Sequence, residues 1–240
     1  MHLILDIGNT TVKYHLFQKG RLVKAAGVDT VEELSPFLFE EFSNITHLVY
    51  ADVRGLYTLQ QLQALFPTLT VANVKSLTLP FDSLYMTPTT LGDDRLALVA
   101  AAVKKYPKQD CLIIDAGSCL TFDFISAAGK YLGGAISPGL QMRYKSLHHF
   151  TGKLPLVNGE TPPALYGDST ERSICAGVMH GILHEIEGQM NAYQKKYPSL
   201  TVILTGGDGL SLSKSVKNTI FAEPNFLAEG LNFLLEYNKS

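Results

Sequence analysis

A chain of 240 residues, 46% hydrophobic and 18% charged, allows one large domain or two small ones around a substantial core, and excludes a fibre or a disordered tail. Twenty Lys and Arg against twenty-two Asp and Glu leave a net charge of −2, which argues against a protein that grips nucleic-acid backbones. The apolar run Leu96 to Val103 falls far short of the roughly 20 residues a bilayer needs, and Asp6 interrupts the first apolar stretch, so a soluble, cytoplasmic protein is expected.

The chain opens on a β-type run, Leu3 to Leu5, which bends at Asp6-Ile7-Gly8-Asn9-Thr10 and resumes from Val12 to Phe17 before a turn at Lys19-Gly20. Helix-like patterning covers Val31 to Phe42, followed by a strand at His47 to Val53, an amphipathic helix at Leu56 to Phe66 and a further helix at Asp94 to Tyr106. A short polar stretch, Pro107 to Asp110, marks a boundary. Beyond it, Leu112 to Ile114 leads into Asp115-Ala116-Gly117-Ser118, then Leu120 to Ile125, then a turn at Ala128-Gly129.

Asp6 and Asp115, Gly8 and Gly117, and Gly20 and Gly129 are each 109 residues apart. Strand, Asp-x-Gly bend, strand and Gly turn thus recur in one register, and the chain reads as a duplicated half, residues 1–110 and 111–240. The second copy continues through a Pro- and Gly-rich loop from Thr151 to Thr170, a long helix at Ile174 to Tyr197, a strand at Thr201 to Thr205 and a closing helix within Pro224 to Tyr237. Hairpins followed by alternating helices and strands predict a mixed α/β sheet in each half.

Asp6 to Lys13 ends a strand with a carboxylate and then offers a Gly bend, two hydroxyls and a Lys, the set a phosphate needs. A tight hairpin in which Asp6 and Asn9 satisfy their own backbone is the plainer alternative. The repeat favours phosphate, because Asp115 and Ser118 bring a second carboxylate and hydroxyl to an equivalent bend, so that the halves can face each other across a polyphosphate and a cation. Asp123 is a further acidic side chain nearby, or part of a solvated strand face. The chain contains neither GxxxxGK[ST] nor GxGxxG, so the common nucleotide-binding folds are disfavoured.

Leu91-Gly92-Asp93-Asp94-Arg95 precedes a strongly helical run. Its acidic residues read either as helix-capping carboxylates or as a general base beside an Arg whose planar fork clamps an anion. Cys111, Cys119 and Cys175 lack CxxC spacing and read as reduced core thiols. His180 and His184 have the i, i+4 spacing of metal ligands beside Glu185, but without HExxH they are expected to pack in the core or an interface.

Four stretches in order, DIGNTTVK at Asp6 to Lys13, YMTPTTLGDDR at Tyr85 to Arg95, DAGSCLTFD at Asp115 to Asp123 and GGAISPG at Gly133 to Gly139, resemble the type III pantothenate kinases. These enzymes fall within the superfamily of acetate and sugar kinases, heat-shock ATPases and actin. The resemblance implies two ribonuclease H-like, actin-like ATPase domains with mixed sheets, and ATP-dependent phosphorylation of pantothenate to 4'-phosphopantothenate, the first step of coenzyme A biosynthesis. It implies that Asp6, Ile7, Gly8, Asn9, Thr10, Thr11, Val12 and Lys13 bind ATP phosphates with Ser118, which stands where the family usually has Thr. Tyr85, Gly92, Asp93, Asp94, Arg95 and Thr170 would bind pantothenate, and Asp94 would accept the hydroxyl proton. Asp115 would hold a monovalent cation, potassium or ammonium; the residues of the first bend themselves allow Asp6 to hold Mg²⁺, directly or through water.

The resemblance further implies a homodimer whose pocket is completed across the interface, with the Ile174 to Tyr197 helix as a candidate contact surface. Two other functions fit such a fold. One is a nuclease gathering Asp6, Asp115 and Asp123 around two Mg²⁺ ions, which the near-neutral charge disfavours. The other is a nucleotide-sensing scaffold that binds ATP without phosphorylating a small substrate.

Overall fold

The computed structural model describes all residues except Thr10, 35–43, 160–163, 217–220 and Ser240. The chain divides into two compact units, Met1–Pro107 with Asn225–Ser240, and Lys108–Pro224. Among the described residues no helix is long and apolar enough to cross a membrane.

The first unit holds strands β1 (His2–Ile7), β2 (Val12–Gln18), β3 (Arg21–Val28) and β4 (His47–Asp52), helix α1 (Leu59–Leu65), strand β5 (Thr70–Asn73) and helix α2 (Asp93–Lys105). The sheet order is β3-β2-β1-β4-β5, with the first two pairings antiparallel and the last two parallel. Alternation sends Leu3, Leu5 and Ile7 of β1 to one face, where they meet Val12, Tyr14 and Leu16 of β2 and the buried Leu62 and Phe66. The expected helix at Leu56 to Phe66 is shorter, because Thr58 and Gln61 form a reciprocal capping box that starts it at Leu59. Most of the expected Val31 to Phe42 helix lies outside the described residues; Val31 and Leu34 are fully buried.

The second unit holds β6 (Cys111–Ala116), β7 (Cys119–Ile125), β8 (Lys130–Pro138), α3 (Leu140–His149), α4 (Thr170–Lys196), β9 (Thr201–Thr205), α5 (Gly209–Ser213) and β10 (Phe221–Ala222). Its strands run in the order β10-β9-β6-β7-β8. Leu112, Ile114, Leu120 and Phe122 pack against Leu140 and Tyr144 of α3 and against Val178, Ile182 and Ile186 of α4. Ser169 accepts a hydrogen bond from the Arg172 N–H at 3.3 Å, which starts α4 at Thr170, four residues before the apolar periodicity becomes visible at Ile174.

Helix α6 (Phe226–Tyr237) closes the chain. The sequence reading carries the second half to residue 240, but this last segment belongs to the first unit, where α6 packs along α2 and against β1 and β4. Chain continuity misleads here because Phe226, Leu231, Leu234 and Leu235 find their apolar partners far back in sequence.

The 109-residue offset conceals a compensated change of length. Between Ile7 and Val12 the first bend holds residues 8–11, whereas between Ala116 and Leu120 the second holds only Gly117, Ser118 and Cys119. The following turn is longer by one in the second copy, closed by the Gly129 N–H to Ser126 and the Ser126 N–H to Lys130, so the glycines return to register. Lys13 therefore stands opposite Asp6 where Thr121 stands opposite Asp115, and His15 is the counterpart of Asp123.

His15 is 7% exposed and its Nδ1 is buried with no hydrogen-bond partner among the described residues. Burial, with Lys13 adding to it, lowers its pKa from 6.5 to about 4. As pH falls below 6.5 the unfolded chain takes up a proton that folded His15 refuses until about pH 4, so stability drops across that window. The expected loss is about 2–3 kcal/mol between pH 7 and 4.5 relative to a His15→Phe variant, at about 1.4 kcal/mol per pKa unit. Urea unfolding of both proteins at the two pH values checks it; parallel pH dependence would exclude His15 as the source.

Candidate active site

The first bend is closed by the Gly8 N–H donating to the Thr11 carbonyl at 3.1 Å, with Ile7 and Val12 buried beneath it and Asn9 and Thr11 exposed above. Thr10 lies outside the described residues. Asp6, the penultimate residue of β1, is paired across the hairpin with exposed Lys13. Burial raises the Asp6 carboxyl from 3.8 to about 6; Lys13 opposes this rise and the negative charge of Asp94 adds to it. Asp94 thus reaches the neighbourhood of Asp6, although 88 positions separate them in sequence.

Asp94 reaches it from the start of α2. Gly92 is the N-cap with no side-chain cap bond, so the acidic residues occupy the first turn instead of the cap. The Asp94 Oδ1 accepts the Arg95 backbone N–H at 2.8 Å, which fixes the carboxylate. A Cβ at Gly92 would overlap that same Oδ1, so the small residue leaves the carboxylate its place. Arg95 is 4% exposed and its guanidinium lies 5.4 Å from the centre of the Tyr85 ring, an arrangement that holds the charge against an aromatic face. Asp93 turns inward and accepts the Asp52 N–H at 3.2 Å and the Asn73 Nδ2 at 2.9 Å.

In the second unit the Gly117 N–H donates to the Cys119 carbonyl at 3.0 Å and leaves Ser118 exposed at the tip. Asp115 stands opposite Thr121, whose Oγ1 is buried without a hydrogen-bond partner among the described residues. The chain then brings in a segment that sequence reasoning passed over, Gly206-Gly207-Asp208-Gly209, directly after β9. Gly206 adopts a φ of +90°, and a Cβ there would overlap both the Asp115 Oδ1 and the Ala116 backbone. The Asp208 N–H donates to the Ala116 carbonyl at 2.9 Å and locks the segment beside Asp115. Three glycines in four residues after an apolar strand were the available signal.

Asp123 is fully buried and accepts the Tyr131 hydroxyl at 2.6 Å, so the solvated-face alternative does not hold. Thr170, exposed at the first position of α4, lines a cavity of about 1010 Å³ together with Arg143, Leu147, Asp168 and Ser173. The His180 and His184 rings lie 6.1 Å apart, a His180 ring nitrogen is 3.3 Å from the Ala164 carbonyl, and Glu185 is ion-paired with Arg143. Among the described residues no group of three or more His, Cys, Asp or Glu is placed to hold a metal ion. Burial pushes the Cys111 thiol up to about 12, which leaves it protonated and inert at neutral pH.

Paired strand-bend-strand hairpins, each with a carboxylate near the end of its first strand, belong to the two-domain fold of the actin-like ATPases and sugar kinases. A ROK family glucokinase from Streptomyces griseus, solved with glucose and AMPPNP, shares that fold at 11% identity over 99% of both chains, with a TM-score of 0.53. A Campylobacter jejuni protein described as a Baf family transcriptional activator matches at 25% identity over 99% of this chain and 98% of that one, with a TM-score of 0.67. The profile of the type III pantothenate kinases matches residues 2–192. The type III pantothenate kinase of Christiangramia forsetii is 47% identical over the full length of both chains, and that of Bacteroides fragilis strain YCH46 is 44% identical over 99% of this chain and 98% of its own. The chain belongs to the type III pantothenate kinase family. It phosphorylates pantothenate with ATP to give 4'-phosphopantothenate, the first step of coenzyme A biosynthesis.

Proposed function

We propose that Asp94 accepts the proton of the pantothenate hydroxyl as that oxygen attacks the γ-phosphoryl group of ATP. The observation that carries this reading is the placement of Asp94: its carboxylate is fixed by the Arg95 N–H and is near enough to Asp6 to raise that carboxyl's pKa. A base in that position meets the hydroxyl at the point where the phosphates are held. Asp6 to Lys13 hold the phosphates, with backbone N–H groups of the bend and the Lys13 ammonium facing the anion and Ser118 donating its hydroxyl. Arg95, braced by Tyr85, binds the pantothenate carboxylate, and Gly92 leaves the adjacent space to the Asp94 carboxylate. Thr170 completes the substrate pocket.

Two cations fit the residues present. Asp6 is a half-buried carboxylate whose pKa is raised first by burial and then by the charge of Asp94, and a divalent ion would offset the charge of that pair, so Mg²⁺ is assigned to it. Asp115 sits between the Gly117 bend and the Gly206 segment, opposite the Thr121 hydroxyl, which has no hydrogen-bond partner among the described residues, and a carboxylate beside a free hydroxyl oxygen suits potassium or ammonium. Bound, both ions neutralise charge on the phosphates.

A homodimer in the cytoplasm completes the reading, with Thr170 contributed to the partner's pocket. Exposed Phe150, Leu165 and Tyr166 in the second unit, at 81%, 74% and 80% accessibility, support an apolar contact surface there. Light scattering should then give twice the chain mass of 26.3 kDa.

A coupled ADP-release assay scanning pantothenate and monovalent salts tests the chemistry. ADP release is expected only with pantothenate present, and is expected in potassium or ammonium but to collapse in sodium-only or choline buffer. Equal rates in all four salts would remove Asp115 as a cation site.

A further inference from the structure

Adjacent residues on an α-helix point about 100° apart, so Asp93 and Asp94 at the start of α2 cannot serve one ligand equally. Asp93 is the one that turns inward: its side chain is 6% exposed, and its carboxylate has partners on both oxygens. Oδ2 accepts the Asp52 N–H and the Asn73 Nδ2, and Oδ1 is ion-paired with the Lys75 Nζ at 3.3 Å.

Those partners are themselves fixed. The Asn73 Oδ1 accepts the Lys75 backbone N–H at 2.9 Å, and the Lys75 ammonium also lies 3.4 Å from the Thr89 carbonyl, just ahead of Leu91 and Gly92. Asp52 ends β4 beside Ile7 of β1, and its own carboxylate accepts the N–H groups of Arg54, Gly55 and Tyr57 at 2.9–3.0 Å. The first turn of α2 is therefore tied to the carboxyl ends of β4 and β5, one strand away from Asp6.

We propose that Asp93 is a positioning residue for the phosphoryl transfer and not a pantothenate contact: with Asn73 and Lys75 it pins the first turn of α2 so that Asp94 faces Asp6. The inference rests on the reading of Asp94 as the proton acceptor. This carboxylate already accepts from three donors of its own unit, so its hydrogen-bonding capacity is spent on holding the helix start. A small rotation of the first helical turn would carry the Asp94 carboxylate away from the attacking hydroxyl, and misplacement of about 1 Å is enough to cost roughly 10²-fold in rate.

The test uses Asp93→Ala, Asp93→Asn, Lys75→Met and their combination in the full chain, with steady-state kinetics in both substrates and thermal unfolding. Asp93→Ala is expected to lower kcat about 10- to 100-fold with KM for pantothenate within about twofold of wild type, the signature of a misplaced reacting group. Lys75→Met, which removes one of the three donors to Asp93, should lower kcat about 3- to 10-fold in the same manner, and Asp93→Ala/Lys75→Met should be no slower than Asp93→Ala alone. Asp93→Asn, which still accepts from Asp52 and Asn73, should recover most of the lost kcat. A raised KM for pantothenate with kcat retained in Asp93→Ala, or wild-type kinetics in Lys75→Met, would overturn the proposal. If Asp93→Ala does not fold, Lys75→Met alone decides between the two outcomes. Asp94→Asn run alongside separates the cases: full turnover there sinks the proton-acceptor reading itself, whereas a dead Asp94→Asn beside a silent Lys75→Met sinks only the inference about Asp93.

Discussion

Replacing Asp94 with Asn is expected to lower kcat by about 10²–10⁴, the range typical of one positioned acid or base. The substitution is nearly isosteric, and an Asn Oδ1 can still accept the Arg95 N–H that fixes the native carboxylate at 2.8 Å, so the start of α2 should remain as it is. What disappears is an acceptor for the hydroxyl proton. The neighbouring Asp6 should respond in the opposite sense to any damage, because removing the negative charge of Asp94 relieves one of the causes that raise its pKa. KM for ATP should therefore stay near wild type while kcat and kcat/KM for pantothenate fall together, as when an interaction made only in the transition state is removed. An unchanged thermal midpoint in the same preparation ties the loss to chemistry. Near-normal turnover would take Asp94 out of the role.

The hairpin repeat could be read from sequence because both copies spell strand, Asp-x-Gly bend, strand and Gly turn. Such a pattern requires only local propensities, and in the structure both bends close through their first glycine N–H. Its inner detail could not be read. A bend shortened by one residue and a turn lengthened by one cancel in the spacing, so only the ladder reveals that Lys13 and Thr121 occupy equivalent places. Asp93 and Asp94 illustrate a second limit: two identical adjacent residues differ only in helical phase, and that phase is set by Asp52, Asn73 and Lys75 from other elements. Gly206 marks a third, since its reason for being glycine is a carboxylate and a carbonyl some 90 positions earlier. In each case the missing information is long-range contact, which neither propensity nor periodicity carries.

The same dependence on distant partners gives Gly230 in α6 its predicted effect. Helix propensity alone says that Gly230→Ala, in the interior of a helix, should stabilise by roughly 1 kcal/mol. Packing says the reverse: a Cβ at 230 would overlap the Ala97 carbonyl oxygen and lie 2.7 Å from its carbon, and the next neighbour is the Ala101 Cβ at 3.2 Å. The obstructing atoms are backbone of α2, which cannot swing aside as the end of a flexible side chain can, and both Ala97 and Ala101 are buried. Forcing a methyl into such a contact typically costs 1–3 kcal/mol, sometimes more, and here it must separate two helices along their seam. A net loss of about 2 kcal/mol is expected, equivalent to roughly 4–8 °C in Tm for a chain of this size. Because α2 carries Asp94 and Arg95 at its start, the displacement should also lower kcat several-fold at temperatures where the protein remains folded. A Gly230→Ala protein as stable as wild type, or more so, would mean that α2 and α6 do not meet through this glycine.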